Sequence, residues 1–114
     1  MPNQSEPLNS AFYALADPTR RAVVQRLSRG EATVSELAAP FDMALSSFVQ
    51  HISVLEKSNL ISTRKSGRVR ICSLQHANFT AAEKWFEELR IQWASRYDNL
   101  DNLLNTLKGE NDDV

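Results

Sequence analysis

A chain of 114 residues, 42% apolar and 24% charged, has the length of one domain and the composition of a folded protein rather than a disordered one. Its 13 Lys and Arg nearly balance 14 Asp and Glu for a formal charge of −1, so a polyanionic partner must be met by a local cluster and not by the net field. No apolar run approaches the roughly 18 residues of a membrane span, and Met1 to Pro7 is polar rather than a cationic and apolar leader, so a soluble, cytoplasmic protein without membrane contact is expected. Cys72 is the one cysteine, which excludes an intrachain disulfide and a metal site of several thiolates. In the strand-like stretch Ile71-Cys72-Ser73 a buried, inert thiol is a commoner outcome than a redox switch.

Residues 1–7 and 108–114 read as polar tails around one domain over 8–107. Leu8, Ala11, Phe12 and Leu15 repeat at helical spacing until Asp17-Pro18, which breaks the pattern and caps a second helix running to about Arg29 before Gly30. Thr33-Val34-Ser35-Glu36 matches a capping box, and Val34, Leu37, Ala38 and Phe41 give a short helix its apolar side. After a short turn, Leu45, Phe48, Val49, Ile52 and Leu55 define a longer helix closed near Asn59. Two helices joined by a short turn, the second longer, form the helix-turn-helix outline. Leu60 to Lys65 and Val69 to Leu74 read as strands around a turn at Ser66-Gly67, and a last helix spans about Thr80 to Leu107. The expected fold is mainly α with a small β-hairpin, a winged helix-turn-helix with a long terminal dimerisation helix. The apolar stripe of that helix exceeds what one small core can use, so a homodimer through Phe86, Leu89, Trp93, Tyr97, Leu100 and Leu104, with Leu8, Phe12 and Leu15 of the first helix, is expected.

Between Glu56 and Glu83 the chain has no acidic residue, yet it gathers Lys57, Arg64, Lys65, Arg68 and Arg70 around the hairpin turn. A cationic hairpin tip behind a helix-turn-helix is the footprint of phosphate contact, and the acidic stretch from Glu83 onward would turn a duplex away from that end. At 100° per residue Ser46, Ser47, Gln50, Ser53 and Val54 lie opposite Leu45, Phe48, Ile52 and Leu55, where they would face a major groove. Gln50 can pair bidentately with adenine, Ser can donate or accept at several bases, and Val54 can pack on a thymine methyl. A merely solvated helix face is the plain alternative for such a stripe. His51, at the border of the apolar face, suits either a phosphate or a backbone group beneath the helix. Arg68 and Arg70, alternating with Arg64 and Lys65 along the wing, would share one face of the hairpin, and Arg68 would meet phosphate or the minor groove, against a solvated tip. Arg20 and Arg21 suit a structural link to an acid such as Asp17 or Glu56, and His76 suits the surface.

Leu15-Ala16-Asp17-Pro18-Thr19-Arg20-Arg21, Ser35-Glu36-Leu37-Ala38, Gln50-His51-Ile52-Ser53-Val54-Leu55-Glu56 and the Leu60-Ile61 entry to a basic hairpin resemble the ArsR-type winged-helix repressors of bacteria over Leu8 to Leu74. The resemblance implies a homodimer bound to double-stranded operator DNA, repression, and a small-molecule inducer as a further partner. Metal-sensing members carry Cys-Val-Cys before the recognition helix; Thr33 and Ser35 stand in those places, and hydroxyls do not replace thiolates toward soft metals. The other common metal site of the family uses Asp, His and Glu on the last helix, which has no histidine from Glu83 to Leu107. No metal and no cofactor is therefore expected. Related chains begin the recognition helix with a capping Ser where Ala44 stands, a loss of about 1 kcal/mol unless Asp42, Ser46 or Ser47 compensates. With Gln50 where Lys is usual, affinity would rest more on the wing.

Three other functions compete. An enzyme finds no support in a Cys/His or Ser/His/Asp spacing, a phosphate-cradling glycine loop or paired carboxylates in a cleft. A winged-helix protein-interaction module would bind DNA no better than any weakly basic surface, and a non-specific architectural DNA-binding protein would not prefer one sequence over another. The aromatic residues Trp85, Phe86, Trp93 and Tyr97 suit either an apolar effector pocket or a plain interface core.

Overall fold

The structure, a computed structural model, describes residues 5–112, with side chains over residues 6–109. The chain divides into two compact units, one up to Ala82 and one from Glu83 onward. The first holds α1 (Ser5–Leu15), α2 (Pro18–Leu27), β1 (Ala32–Thr33), α3 (Val34–Ala38), α4 (Leu45–Lys57), β2 (Ile61–Ser66), β3 (Val69–Leu74) and a 3₁₀ turn (His76–Phe79). The second is the body of α5 (Thr80–Asp112).

Local chemistry explains most of these boundaries. Asp17 caps α2 by accepting from the Arg20 N–H at 3.0 Å, with Pro18 at the first helical position where its missing N–H costs nothing. Thr33 and Glu36 close the capping box of α3: the Thr33 hydroxyl accepts the Glu36 N–H at 3.1 Å, and the Glu36 carboxylate reaches back to the Thr33 N–H at 3.4 Å. α4 ends in a Schellman motif. Asn59 takes a left-handed φ of 61°, the Asn59 N–H bonds the Glu56 carbonyl at 3.0 Å, and the Leu60 N–H bonds the Leu55 carbonyl at 3.1 Å. Leu55 and Leu60, which flank that turn, are both fully buried, so the motif fixes where α4 stops and how β2 enters the core.

The sheet is antiparallel in the order β1-β3-β2, with Ala32 opposite Cys72 and Thr63 opposite Cys72 on the other side. Cys72 thus sits at the centre of the sheet and is fully buried, where desolvation and, to a lesser degree, the Glu56 carboxylate push its thiol up against the smaller opposing pull of Arg70. One core joins Ala11 and Ala14 of α1, Val23 and Leu27 of α2, Leu37 of α3, Phe48, Ile52 and Leu55 of α4, and Leu60, Ile61 and Cys72 of the sheet. Each fully buried large side chain contributes about 1.5–3 kcal/mol of transfer free energy.

Several sequence expectations need correction. α1 begins at Ser5, inside the stretch read as an N-terminal tail, and α5 continues to Asp112, through most of the stretch read as a C-terminal one; Met1 to Gln4, Asp113 and Val114 lie outside the described residues. α2 ends at Leu27 rather than Arg29, because Ser28 already caps it onto Val24 and Gly30 takes a φ of 138°. The two-residue strand β1 and the 3₁₀ turn carry no readable period and are additions. Leu45 and Val49, expected in the apolar face of α4, are 59% and 46% exposed. The hairpin loop is Gly67-Arg68, since Ser66 pairs with Val69, and Gly67 supplies the positive φ of 63° that such a two-residue turn needs at its first position.

Candidate nucleic-acid interface

The core anchors Phe48, Ile52 and Leu55 fix the rotation of α4 and so decide which residues look outward. Ser46, Ser47, Gln50 and Lys57 are exposed, and Ser53 is half-buried at the edge of the same face. Val54 is turned elsewhere: it packs against the core and, with Lys57, Asn9, Ser10 and Tyr13, lines an open cleft of about 540 Å³ between α4 and α1. Ala44, at the N-cap, makes no side-chain cap bond, so neither Asp42 nor the serines replace the missing hydroxyl, and the first-turn N–H groups keep their capacity for water or an anion.

His51 belongs to a structural cluster. Its Nδ1 lies 3.1 Å from Arg20 Nη1 and 3.7 Å from Asp17 Oδ2. A guanidinium only donates, so Nδ1 accepts in that pairing and the ring proton is assigned to Nε2. Arg20 is buried and donates through Nε to the Ala14 carbonyl at 2.6 Å and through Nη2 to the Tyr13 carbonyl at 3.0 Å, while its guanidinium carbon lies 5.5 Å from the centre of the Tyr13 ring. Arg21 donates to the Leu15 carbonyl at 2.9 Å. Both arginines therefore close the C-terminal end of α1, where orphan carbonyls and the helix dipole favour cations; among the described residues neither makes an ion pair with Glu56, and Arg20 acts on Asp17 electrostatically rather than through a direct salt bridge. Burial acts on Asp17 against its charge, but the Arg20 N–H, the His51 ring and the Arg20 guanidinium outweigh it and hold the carboxyl below its ordinary value. This cluster ties α1, α2 and α4 together.

The wing divides into a neutralised base and a charged tip. Arg64 pairs with Glu31, which the unforeseen strand β1 brings alongside, and contacts the Ser73 hydroxyl at 3.4 Å. The hydrogen bond from Arg64 is the main cause of the lowered Glu31 carboxyl. Arg70 donates to the Thr63 hydroxyl at 2.8 Å, and Thr63 donates onward to the Glu56 carboxylate of α4. Sheet alternation puts Lys65 opposite Arg70 on that face, whereas Arg68 sits in the turn itself and does not share a strand face with Arg70. Among the described residues no hydrogen bond or ion pair engages Lys57, Lys65 or Arg68, so three of the five expected phosphate-facing cations remain uncompensated. What the sequence does not announce is Glu31, distant along the chain from the basic run but adjacent to it in space, and the link from Arg70 through Thr63 to Glu56, the acid that borders the run.

α5, taken by itself, exposes Phe86, Trp93, Leu100 and Leu107 at seven-residue intervals, with Leu103 and Leu104 beside them. A strict seven-residue apolar repeat is the seam of a left-handed coiled pair. Trp85 and Phe86 meet edge to face with ring centres 5.2 Å apart, and Trp93, Arg96 and Tyr97 line a shallow cavity of about 310 Å³. On α1, Leu15 packs against the core of its own chain, and Leu8 and Phe12 are half-buried.

A family model described as a helix-turn-helix domain matches residues 15–64. The HTH-type transcriptional regulator Rv2034 of Mycobacterium tuberculosis is 38% identical over 71 residues, which cover 62% of this chain and 66% of that protein, just under two thirds of its length. The transcriptional repressor SdpR of Bacillus subtilis is 29% identical over 78 residues, 68% of this chain and 87% of that protein. The crystal structure of the ArsR family transcriptional regulator RHA00566 superposes with a TM-score of 0.76 at 59% identity, covering 83% of this chain and 98% of that one. The helix-turn-helix, the wing and these relatives agree, and the chain belongs to the ArsR family of DNA-binding transcriptional regulators, not to an enzyme family.

Proposed function

We propose that this protein is a cytoplasmic, homodimeric, metal-independent repressor that binds operator DNA by laying α4 of each protomer in a major groove and resting the wing tip on the flanking backbone. The observation that carries this reading is the juxtaposition, in one compact unit, of the exposed polar face Ser46, Ser47 and Gln50 with the uncompensated cations Lys57, Lys65 and Arg68. Gln50 and the serines supply base-edge chemistry, and the cations supply phosphate contacts. His51, held through Nδ1, acts as a brace for α4 whose Nε2–H is left for a phosphate. The seven-residue seam of α5 supports pairing of two chains, which would place two recognition helices about one DNA turn, roughly 34 Å, apart on an inverted repeat. Metal independence is supported by chemistry at the first-named metal position: the Thr33 hydroxyl is committed to the capping box, and Ser35 offers no soft ligand.

Fluorescence-anisotropy titration against the DNA upstream of the gene, beside a scrambled duplex and at two salt concentrations, tests the reading. One dimer per site with clear sequence preference is expected, unchanged by a chelator. Gln50→Ala should cost about 1–3 kcal/mol on the operator alone, and Arg68→Ala should lower the salt slope by about one while weakening both duplexes. Arg64→Ala, whose cation already faces Glu31, should leave that slope unchanged. Equal weak binding to both duplexes would move the function to an architectural role or a protein partner.

A further inference from the structure

Leu45 and Val49 are apolar, adjacent and without a use in the fold. They lie one turn apart on α4, 59% and 46% exposed, while Phe48, Ile52 and Leu55 already fill the buried side of that helix. The entry to α4 is closed from beneath without them, by Phe41 stacked on Phe48 with ring centres 5.5 Å apart. Before α5, the only other large apolar side chains exposed among the described residues are Tyr13 on α1 and Val69 beside the wing tip, each standing alone on its element. Single exposed apolar residues need no explanation, but two at i and i+4 beside a polar face make a ridge.

We propose that Leu45 and Val49 read the 5-methyl groups of thymine in the major groove, which makes them specificity-determining residues of the recognition helix. This rests on the docking of α4 proposed above and deepens it. From Ala44 to Gln50 the helix carries no charged side chain, so its first two turns can discriminate only by neutral hydrogen bonds and by apolar contact. Within the major groove the thymine methyl is the one apolar group that projects from a base edge, and an aliphatic side chain on a groove-facing helix has no other apolar partner there. The ridge borders Ser46 and Gln50, so a methyl contact and a hydrogen bond to the adenine of a nearby pair would be made by neighbouring side chains. Residues four apart on a helix stand about 5–6 Å apart at Cβ, against a rise of about 3.4 Å per base, so the two methyls belong to neighbouring base steps. The half-site is thereby specified as an A·T-bearing step read from both its polar and its apolar edges.

The test starts with selection of duplexes from a random pool by the full chain, followed by replacement of single thymines by deoxyuridine, which removes the methyl and leaves the pairing intact. Thymine should recur at neighbouring positions of the selected half-site, and each critical deoxyuridine should weaken binding about fourfold, the worth of one buried methyl group. Leu45→Ala or Val49→Ala should weaken the thymine duplex by a similar factor and become indifferent to deoxyuridine at its own position. Both substitutions are at exposed sites and introduce a strong helix former, so circular dichroism and the urea midpoint should stay put. A specific site whose deoxyuridine scan is flat would overturn the ridge while leaving α4 as the recognition helix. Alanine variants that change sedimentation but not base preference would assign the ridge to self-association and overturn it likewise. Selection that yields no preferred sequence would overturn the docking and the ridge together.

Discussion

At its C-terminal end α4 is closed by Asn59 and by the paired N–H groups of Asn59 and Leu60, with Leu55 and Leu60 buried at the turn. At its N-terminal end Ala44 caps nothing, Leu45 and Val49 stand in solvent, and the first-turn N–H groups have no side-chain partner. The closing turn is thus committed to the fold, while the first turn, beside the buried Phe48, holds back its hydrogen-bonding groups and apolar surface. The role proposed for α4 uses both ends. The closed end sets the angle at which the open end leaves the body, and a rigid element positions base contacts better than a loop could. The wing repeats the division, with Arg64 and Arg70 consumed at its base and Arg68 left at its tip.

The two ends of α4 should respond differently to truncation. Leu55→Ala removes a fully buried side chain from the centre of the core and should cost about 2–5 kcal/mol, read as a large fall in the urea midpoint. Leu45→Ala, ten residues earlier on the same helix, should change stability by less than about 0.5 kcal/mol, as surface substitutions do, and act only on DNA. Comparable losses from both would mean that Leu45 is packed and that α4 is not divided as described.

The same division explains what could be seen in advance. Asp17-Pro18, the Thr33-to-Glu36 box and the stop at Asn59 were legible because a cap is written in a few consecutive residues, and each is in place. Strand β1 was not, because two residues carry no period; it exists by pairing Ala32 and Thr33 to β3, and with it came Glu31 against Arg64. Leu45 and Val49 were misjudged for a different reason. A hydrophobicity pattern assigns every apolar residue to the core, but the anchors Phe48, Ile52 and Leu55 set the rotation, and the two remaining apolar positions fall on its flank. Arg20 and Arg21 were seen as charges seeking charges, whereas the end of α1 presented carbonyls.

Asp17 should have an effect of intermediate size, since it is a cap that also touches α4 through His51. Asp17→Ala should cost about 1 kcal/mol by opening the first turn of α2. Because the folded carboxyl is held below its ordinary 3.8, the unfolded chain takes up the proton first. Its contribution is therefore fully present above that value and is lost as pH falls through the lower, folded one. Urea midpoints measured from about pH 5 downward should fall for the wild type, and Asp17→Asn, which caps without titrating, should flatten this part of the decline. An unchanged acid limb in Asp17→Asn would mean that the carboxylate bears no linkage to folding.

At the vacant cap a modest gain is expected rather than a loss. Ala44 already has the extended backbone of an N-cap, with φ −62° and ψ 142°, so Ala44→Ser needs no rearrangement to offer its hydroxyl to the N–H of Ser46 or Ser47. A gain of about 0.5–1 kcal/mol is expected, visible as a rise in Tm. The substitution places its hydroxyl before the groove-facing residues and leaves Ser46, Gln50 and the ridge of Leu45 and Val49 where they are, so preference among duplexes should survive. If stability rose while binding to operator and scrambled duplex weakened together, the open first turn would itself be an anion contact, competed away by the new cap, and the vacancy at Ala44 would be part of how α4 meets the backbone.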